Sequence, residues 1–214
     1  MSRGLFFTFE GIDGCGKSTQ VKETVQWLES RGLPVTVTRE PGGTVISEKI
    51  RQILISEEHG EMVNECELLL YLAARAQHVR EKIYPLLQKG NIVICDRFQE
   101  ATFAYQGFGR NIEIDFLKQM NSFATCGLIP DLSFVIDLDV ELSFKRIERM
   151  KRKKDRIELG GKEFFGKIRE GYRKLALMDP KRIKVLDGNL PISELTGHIR
   201  EEIEKNMRIN EYIG

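Results

Sequence analysis

The sequence predicts an α/β protein: a parallel sheet with helices on both faces. Short apolar runs rich in β-branched and aromatic residues recur along the chain. Longer segments of helical periodicity fall between them. A glycine-rich loop joins the first such run to the first helix. Alternating strands and helices demand crossover connections, and those give parallel sheets covered on two sides. In such sheets ligands gather at the carboxyl ends of the strands.

Leu5-Phe6-Phe7-Thr8-Phe9 reads as a buried strand, and Gly11 to Ser18 follows as the glycine loop. Thr19 to Ser30 is a helix with Val21, Val25 and Leu28 on one face and Gly32 as its stop. Val35 to Thr38 is the second strand. Ile46, Ile50, Ile53 and Leu54 mark the apolar face of the next helix, and Leu68 to Leu87 is a longer, mostly apolar one. Ile92 to Cys95, Leu132 to Asp137 and Ile183 to Leu186 complete five strands. Helical patterns at Ile114 to Phe123, Val140 to Met150, Lys162 to Met178 and Ile192 to Lys205 fill the intervals. The stretch 150–161 is highly charged and ends in two glycines, as a mobile flap does. No repeat or linker divides residues 1–214, so one domain is expected.

The chain has 214 residues, 41% of them hydrophobic and 30% charged, with a net charge of +1. That balance leaves no global field to attract nucleic acid or a membrane surface. No apolar run approaches the ~20 residues that span a bilayer. Met1-Ser2-Arg3-Gly4 leads straight into the first strand and leaves no room for a signal peptide, so the cytoplasm is the expected location. Cys15, Cys66, Cys95 and Cys126 show no metal-ligand spacing and are expected as reduced thiols.

Gly11-Ile12-Asp13-Gly14-Cys15-Gly16-Lys17-Ser18 is Gly, four residues, then Gly-Lys-Ser, between a strand and a helix. Glycines let consecutive backbone N–H groups turn inward, and the helix adds its positive end. This is a phosphate-binding loop, in which Lys17 reaches β- and γ-phosphates and Ser18 holds magnesium. Asp96, at the end of the third strand, is where such proteins keep a carboxylate for the metal. A strand-capping Asp paired with Arg97 is the plainer alternative. Arg39 and Arg97 leave strand ends that neighbour the loop. Guanidinium forks match phosphate oxygens, which points to a second phosphorylated ligand. Surface pairing with Glu40 or Glu100 is the alternative for each.

Phe9 to Gln20, Thr38-Arg39-Glu40-Pro41-Gly42-Gly43-Thr44, Leu70 to Val79, Asp96-Arg97-Phe98 and Ala104-Tyr105-Gln106-Gly107 together resemble the thymidylate kinase family. The likeness runs from the first strand to Asp155-Arg156-Ile157-Glu158 and more weakly beyond. It implies the three-layer P-loop nucleoside monophosphate kinase fold, a five-stranded parallel sheet with helices on both faces and a short lid at about 149–161. It implies transfer of the γ-phosphoryl of ATP to dTMP with magnesium, giving dTDP for dTTP synthesis. By the same resemblance ATP lies on Gly11, Ile12, Asp13, Gly14, Cys15, Gly16, Lys17, Ser18 and Thr19, with Arg146 stacked on adenine. Ser18 and Asp96 stand near Mg2+. Asp13, Arg39, Tyr71, Arg75, Arg97, Thr102, Tyr105 and Gln106 receive dTMP. Tyr71 takes the place of a phenylalanine that stacks on thymine, Arg75 bonds the base, and Tyr105 crowds the 2′ position of the sugar. Thr102 and Ala74 depart from the family's usual residues there. Gly14 occupies the position where some members carry a loop arginine, so the lid is expected to supply the cation. Lys17, Arg97, Arg149 and Arg152 are the expected catalytic residues. The family also implies a homodimer.

Other readings compete. The same fold serves other monophosphate acceptors, which Arg75 and Tyr105 disfavour. A hydrolytic switch leaves Arg39 and Arg97 unexplained. A nucleic-acid module using the 145–156 basic run lacks interleaved aromatics.

Overall fold

The computed structural model describes residues 3–149 and 155–209. Five strands form one sheet: β1 (Phe6–Glu10), β2 (Val35–Arg39), β3 (Ile92–Asp96), β4 (Leu132–Asp137) and β5 (Ile183–Asp187). Their order is β2-β3-β1-β4-β5, and every pairing is parallel. β1, β3 and β4 are central and read as continuous apolar runs because both faces are covered. Phe7, Phe9, Ile92 and Ile94 enter the larger core, while Phe6, Val93 and Cys95 enter a second one on the other face. Each fully buried phenylalanine contributes roughly 1.5–3 kcal/mol. Thr8 Oγ1 donates to Ser133 Oγ at 2.8 Å, which satisfies two buried hydroxyls between β1 and β4. Phe9 and Arg39 both lie in register with Asp96. The ends of β1, β2 and β3 therefore meet at one edge of the sheet, with Glu10, Arg39 and Asp96 as their last residues.

The helices are α1 (Lys17–Ser30), α2 (Val45–Ile55), α3 (Asn64–His78), α4 (Tyr84–Gln88), α5 (Gln99–Thr102), α6 (Ile114–Thr125), α7 (Val140–Arg149), α8 (Gly161–Met178) and α9 (Ile192–Ile209). The long helix expected over Leu68 to Leu87 is broken by a π-turn, Val79–Ile83. Pro85 explains it: proline has no N–H and its ring clashes with the carbonyl four residues back. The turn still seats Val79, Ile83 and Leu87 against Phe6 and Val93.

α2 departs from its expected orientation. Thr44 caps it, accepting from Ser47 N. Ser47 and Leu54 face inward, whereas Ile46 is 51% and Ile53 43% exposed. Ser47 Oγ donates to Ala74 O at 2.8 Å and binds α2 to α3.

Candidate active site

The loop Gly11–Gly16 rests on the buried side chains of Ile12 and Cys15. Gly11 has φ +127°, and a Cβ there would stand 2.5 Å from Ile136 O on β4. Only glycine lets the loop lie this close to the sheet. Lys17 is buried and its Nζ donates to Gly11 O at 3.0 Å and Ile12 O at 3.1 Å. Ser18 and Thr19 are exposed at the start of α1, where the helix dipole is positive. Arg146 on α7 reaches Gly14 O, Cys15 O and Gly188 O, each at 3.4 Å, and so spans the loop and the turn after β5. Arg149, the last residue of α7, is exposed and lines the same cleft as Lys17, Ser18 and Asp96. Arg152 lies outside the described residues.

Asp96 Oδ1 is buried and has no hydrogen-bond partner among the described residues. An anionic oxygen left so is costly unless something neutralises it. A hard cation held by Asp96 and the Ser18 hydroxyl fits that requirement.

A second cleft opens beside the loop. Asp13, Tyr71, Arg75, Arg97, Thr102, Tyr105 and Gln106 all line it. Arg97 has φ +70°, a left-handed conformation that costs a non-glycine residue about 1–2 kcal/mol. Its side chain donates from Nη2 to Asp13 Oδ1 at 2.7 Å and from Nη1 to Gly11 O at 2.9 Å. The guanidinium also lies over the Tyr105 ring, 5.0 Å from its centroid. Burial, above all, pushes the Tyr105 phenol well above its ordinary pKa. It stays neutral, with Oη 3.5 Å from Asp13 Oδ2.

Arg75 is fully buried and nearly saturated. Nε donates to Glu40 Oε2 at 2.6 Å, Nη1 to Thr102 Oγ1 at 2.8 Å and to Asn121 Oδ1, and Nη2 to Phe98 O at 2.9 Å. One Nη2–H is left without a protein acceptor among the described residues. Burial works to raise the pKa of Glu40, but Arg75 and His78 outweigh it and hold the carboxylate below its usual value. Gln106 donates to Glu67 Oε1 at 2.9 Å, and Arg156 pairs with Glu67 Oε2 at 2.6 Å.

Two expected residues are placed differently from the rest. Arg39 points to Glu48, with Nη2 at 3.0 and 3.2 Å from its carboxylate oxygens, and lines the phosphate cleft rather than the second one. Arg156, within the charged stretch 150–161 read as a flap, is instead buried, its Nε donating to Leu54 O at 2.9 Å. Sequence reasoning missed Arg51, which lines both clefts and donates to Pro41 O at 3.0 Å. Its signal was there: Ser47, Arg51 and Leu54 form an inward stripe on α2, overlooked beside Ile46, Ile50 and Ile53.

The family model described as thymidylate kinase matches residues 9–199. This chain belongs to the thymidylate kinase family. It is 48% identical over 187 residues to the thymidylate kinase of Pelotomaculum thermopropionicum, covering 87% of each chain. It is 44% identical over 212 residues to that of Pelobacter propionicus, covering 97% of this chain and 96% of the relative. The crystal structure of thymidylate kinase from Ehrlichia chaffeensis superposes with a TM-score of 0.77 at 31% identity, covering 94% of this chain and 99% of that one. As a thymidylate kinase family member, the chain is an ATP-dependent nucleoside monophosphate kinase. The expected fold is the observed one, a five-stranded parallel sheet between helical layers.

Proposed function

We propose that this chain transfers the γ-phosphoryl group of ATP to dTMP, making dTDP for dTTP synthesis, as a homodimer in the cytoplasm. One observation carries the reading: the phosphate cleft and the second cleft meet, and Asp13, Arg51 and Arg97 line both. Two phosphorylated ligands set in them present their phosphates to each other across these residues. Positioning of that kind, with charge neutralisation, is the greater part of phosphoryl-transfer catalysis.

ATP is held by the loop amides and Lys17, with Arg146 beside the adenine end. Arg97 and Arg51 grip the acceptor phosphate, which is itself the nucleophile, so no side chain need remove a proton. Tyr71 stacks on thymine. The unused Nη2–H of Arg75 donates to a ring carbonyl and finds no acceptor in the amino group of cytosine. Tyr105, held by Asp13 and Arg97, closes the space beside the sugar's 2′ carbon. Arg149, with Arg152 beyond it, brings positive charge to the transferring oxygens. Magnesium, held by Ser18 and Asp96, neutralises phosphate charge when bound. Arg39 acts on the phosphate side, alongside Glu48, and the segment from 149 to 161 closes over the site as its lid.

Homodimerisation is supported by exposed apolar stripes on neighbouring helices: Leu69 and Ala73 on α3, Phe116 and Phe123 on α6. No helix among the described residues is long and apolar enough to cross a membrane.

The test is ADP release from ATP and magnesium with each nucleoside monophosphate in turn. Strong stimulation by dTMP, less by dUMP and little by dCMP or ribonucleotides is expected. ADP release indifferent to every monophosphate would identify a hydrolase and leave Arg75 and Arg97 without a role.

A further inference from the structure

Behind Arg97 lies a buried group that the reaction as described does not use. Glu10, the last residue of β1, is fully buried and bonded through both oxygens. Oε1 accepts from Phe98 N at 2.7 Å, the amide that follows Arg97. Oε2 accepts from Tyr172 Oη at 3.1 Å. Tyr172, buried on α8, in turn takes Arg97 Nη1 at 3.4 Å. The contacts close a ring: Arg97 side chain, Tyr172, Glu10, and the backbone beside Arg97. The ring encloses the residue whose backbone is left-handed. Strain of this kind persists where the surroundings over-determine it.

We propose that Glu10, acting with Tyr172, is the positioning residue that holds Arg97 in its left-handed conformation and aims its guanidinium at the acceptor phosphate. The inference rests on the reading of Arg97 as the acceptor's grip. Glu10 works as a hydrogen-bond frame and not as a counter-charge. Its buried carboxyl makes no ion pair among the described residues, while Arg97 already has Asp13. Burial and the nearby Glu100 push the Glu10 carboxyl up to about 8. Glutamine keeps an acceptor for Phe98 N and sets an amide donor against Tyr172 Oη, whereas alanine removes both contacts.

The experiment is steady-state kinetics on Glu10→Ala, Glu10→Gln, Tyr172→Phe, Arg97→Ala and the Glu10→Ala/Arg97→Ala double variant. Glu10→Ala is expected to raise KM for dTMP by about tenfold or more with KM for ATP changed less than about twofold, and Glu10→Gln to recover most of the loss. In the Arg97→Ala background, Glu10→Ala should add less than about twofold, because the grip it positions is gone. Equal rises in both KM values, or full additivity with Arg97→Ala, would overturn the proposal. If Glu10→Ala does not fold, Tyr172→Phe carries the same cycle, with a rise of about three- to tenfold in KM for dTMP that vanishes without Arg97. Arg97→Ala alone decides the underlying reading: unchanged dTMP kinetics in that variant would remove Arg97 from the acceptor site, whatever the cycle gives.

Discussion

Glu10 ends β1 and Glu40 follows β2, and their surroundings drive their acidities in opposite directions. Glu40→Gln would leave the buried Arg75 without a carboxylate partner among the described residues. Breaking a buried pair from one side costs about 3–5 kcal/mol, so urea denaturation at pH 7 should show a loss of that order. Because folding lowers the pKa of Glu40, its stabilisation is present above the unfolded value and lost as pH falls through the folded one. Glu10 has the reverse sign. Its pKa rises from 4.5 to about 8, so its contribution is complete below 4.5 and is lost as pH rises to about 8. Glu10→Gln should therefore flatten the fall in stability between those limits, measured against the unsubstituted protein. Neither carboxyl was legible in the sequence. Each depends on partners 35 or more residues away, Arg75 and Phe98, that no local pattern announces.

At the scale of elements, the strands were the most legible part, because β1, β3 and β4 are buried on both faces and so are written as unbroken apolar runs. α2 was the least. Its isoleucines carry helical periodicity, but the helix turns Ser47 and Leu54 inward and leaves Ile46 and Ile53 outside. A periodic stripe reveals that a face will be covered without saying by what. Phe123 at 86% exposed and Leu69 at 55% leave such a face on α6 and α3, and a second copy of the chain is the partner proposed for it. Phe123→Glu and Leu69→Glu together should move the protein from dimer to monomer in analytical ultracentrifugation. A sedimentation coefficient unchanged from a dimeric parent would place the interface elsewhere.

The whole molecule divides its labour across the sheet. With β1 at the centre, β2 and β3 bring Glu40 and Arg97 to the second cleft, while β4 and β5 bring α7 and Gly188 to the loop's other flank. The motifs at Gly11 to Ser18 and at Asp96-Arg97 were readable because each is local. Their convergence was readable only through strand order. Arg51, Asn121 and Glu67 enter from helices whose approach no motif encodes. Both ligands bind the folded state, so each should raise the melting temperature. A ligand at about 100 times its Kd adds ~2.7 kcal/mol. The shift with dTMP should disappear in Arg97→Ala, while the shift with ATP survives. Loss of both would show that the substitution had damaged the fold.

Gly14 sets a limit on how this chain can change. It has φ +74°, and a Cβ on it would stand 2.9 Å from Ser143 O and 3.2 Å from Ile147 Cγ1 on α7. Ser143 and Ile147 are themselves buried. An arginine arriving at position 14 by one substitution would meet α7 before it met a phosphate. A loop arginine therefore requires α7 to retreat first. A lineage that has packed α7 this tightly against Gly14 is closed to a loop arginine reached by that single step.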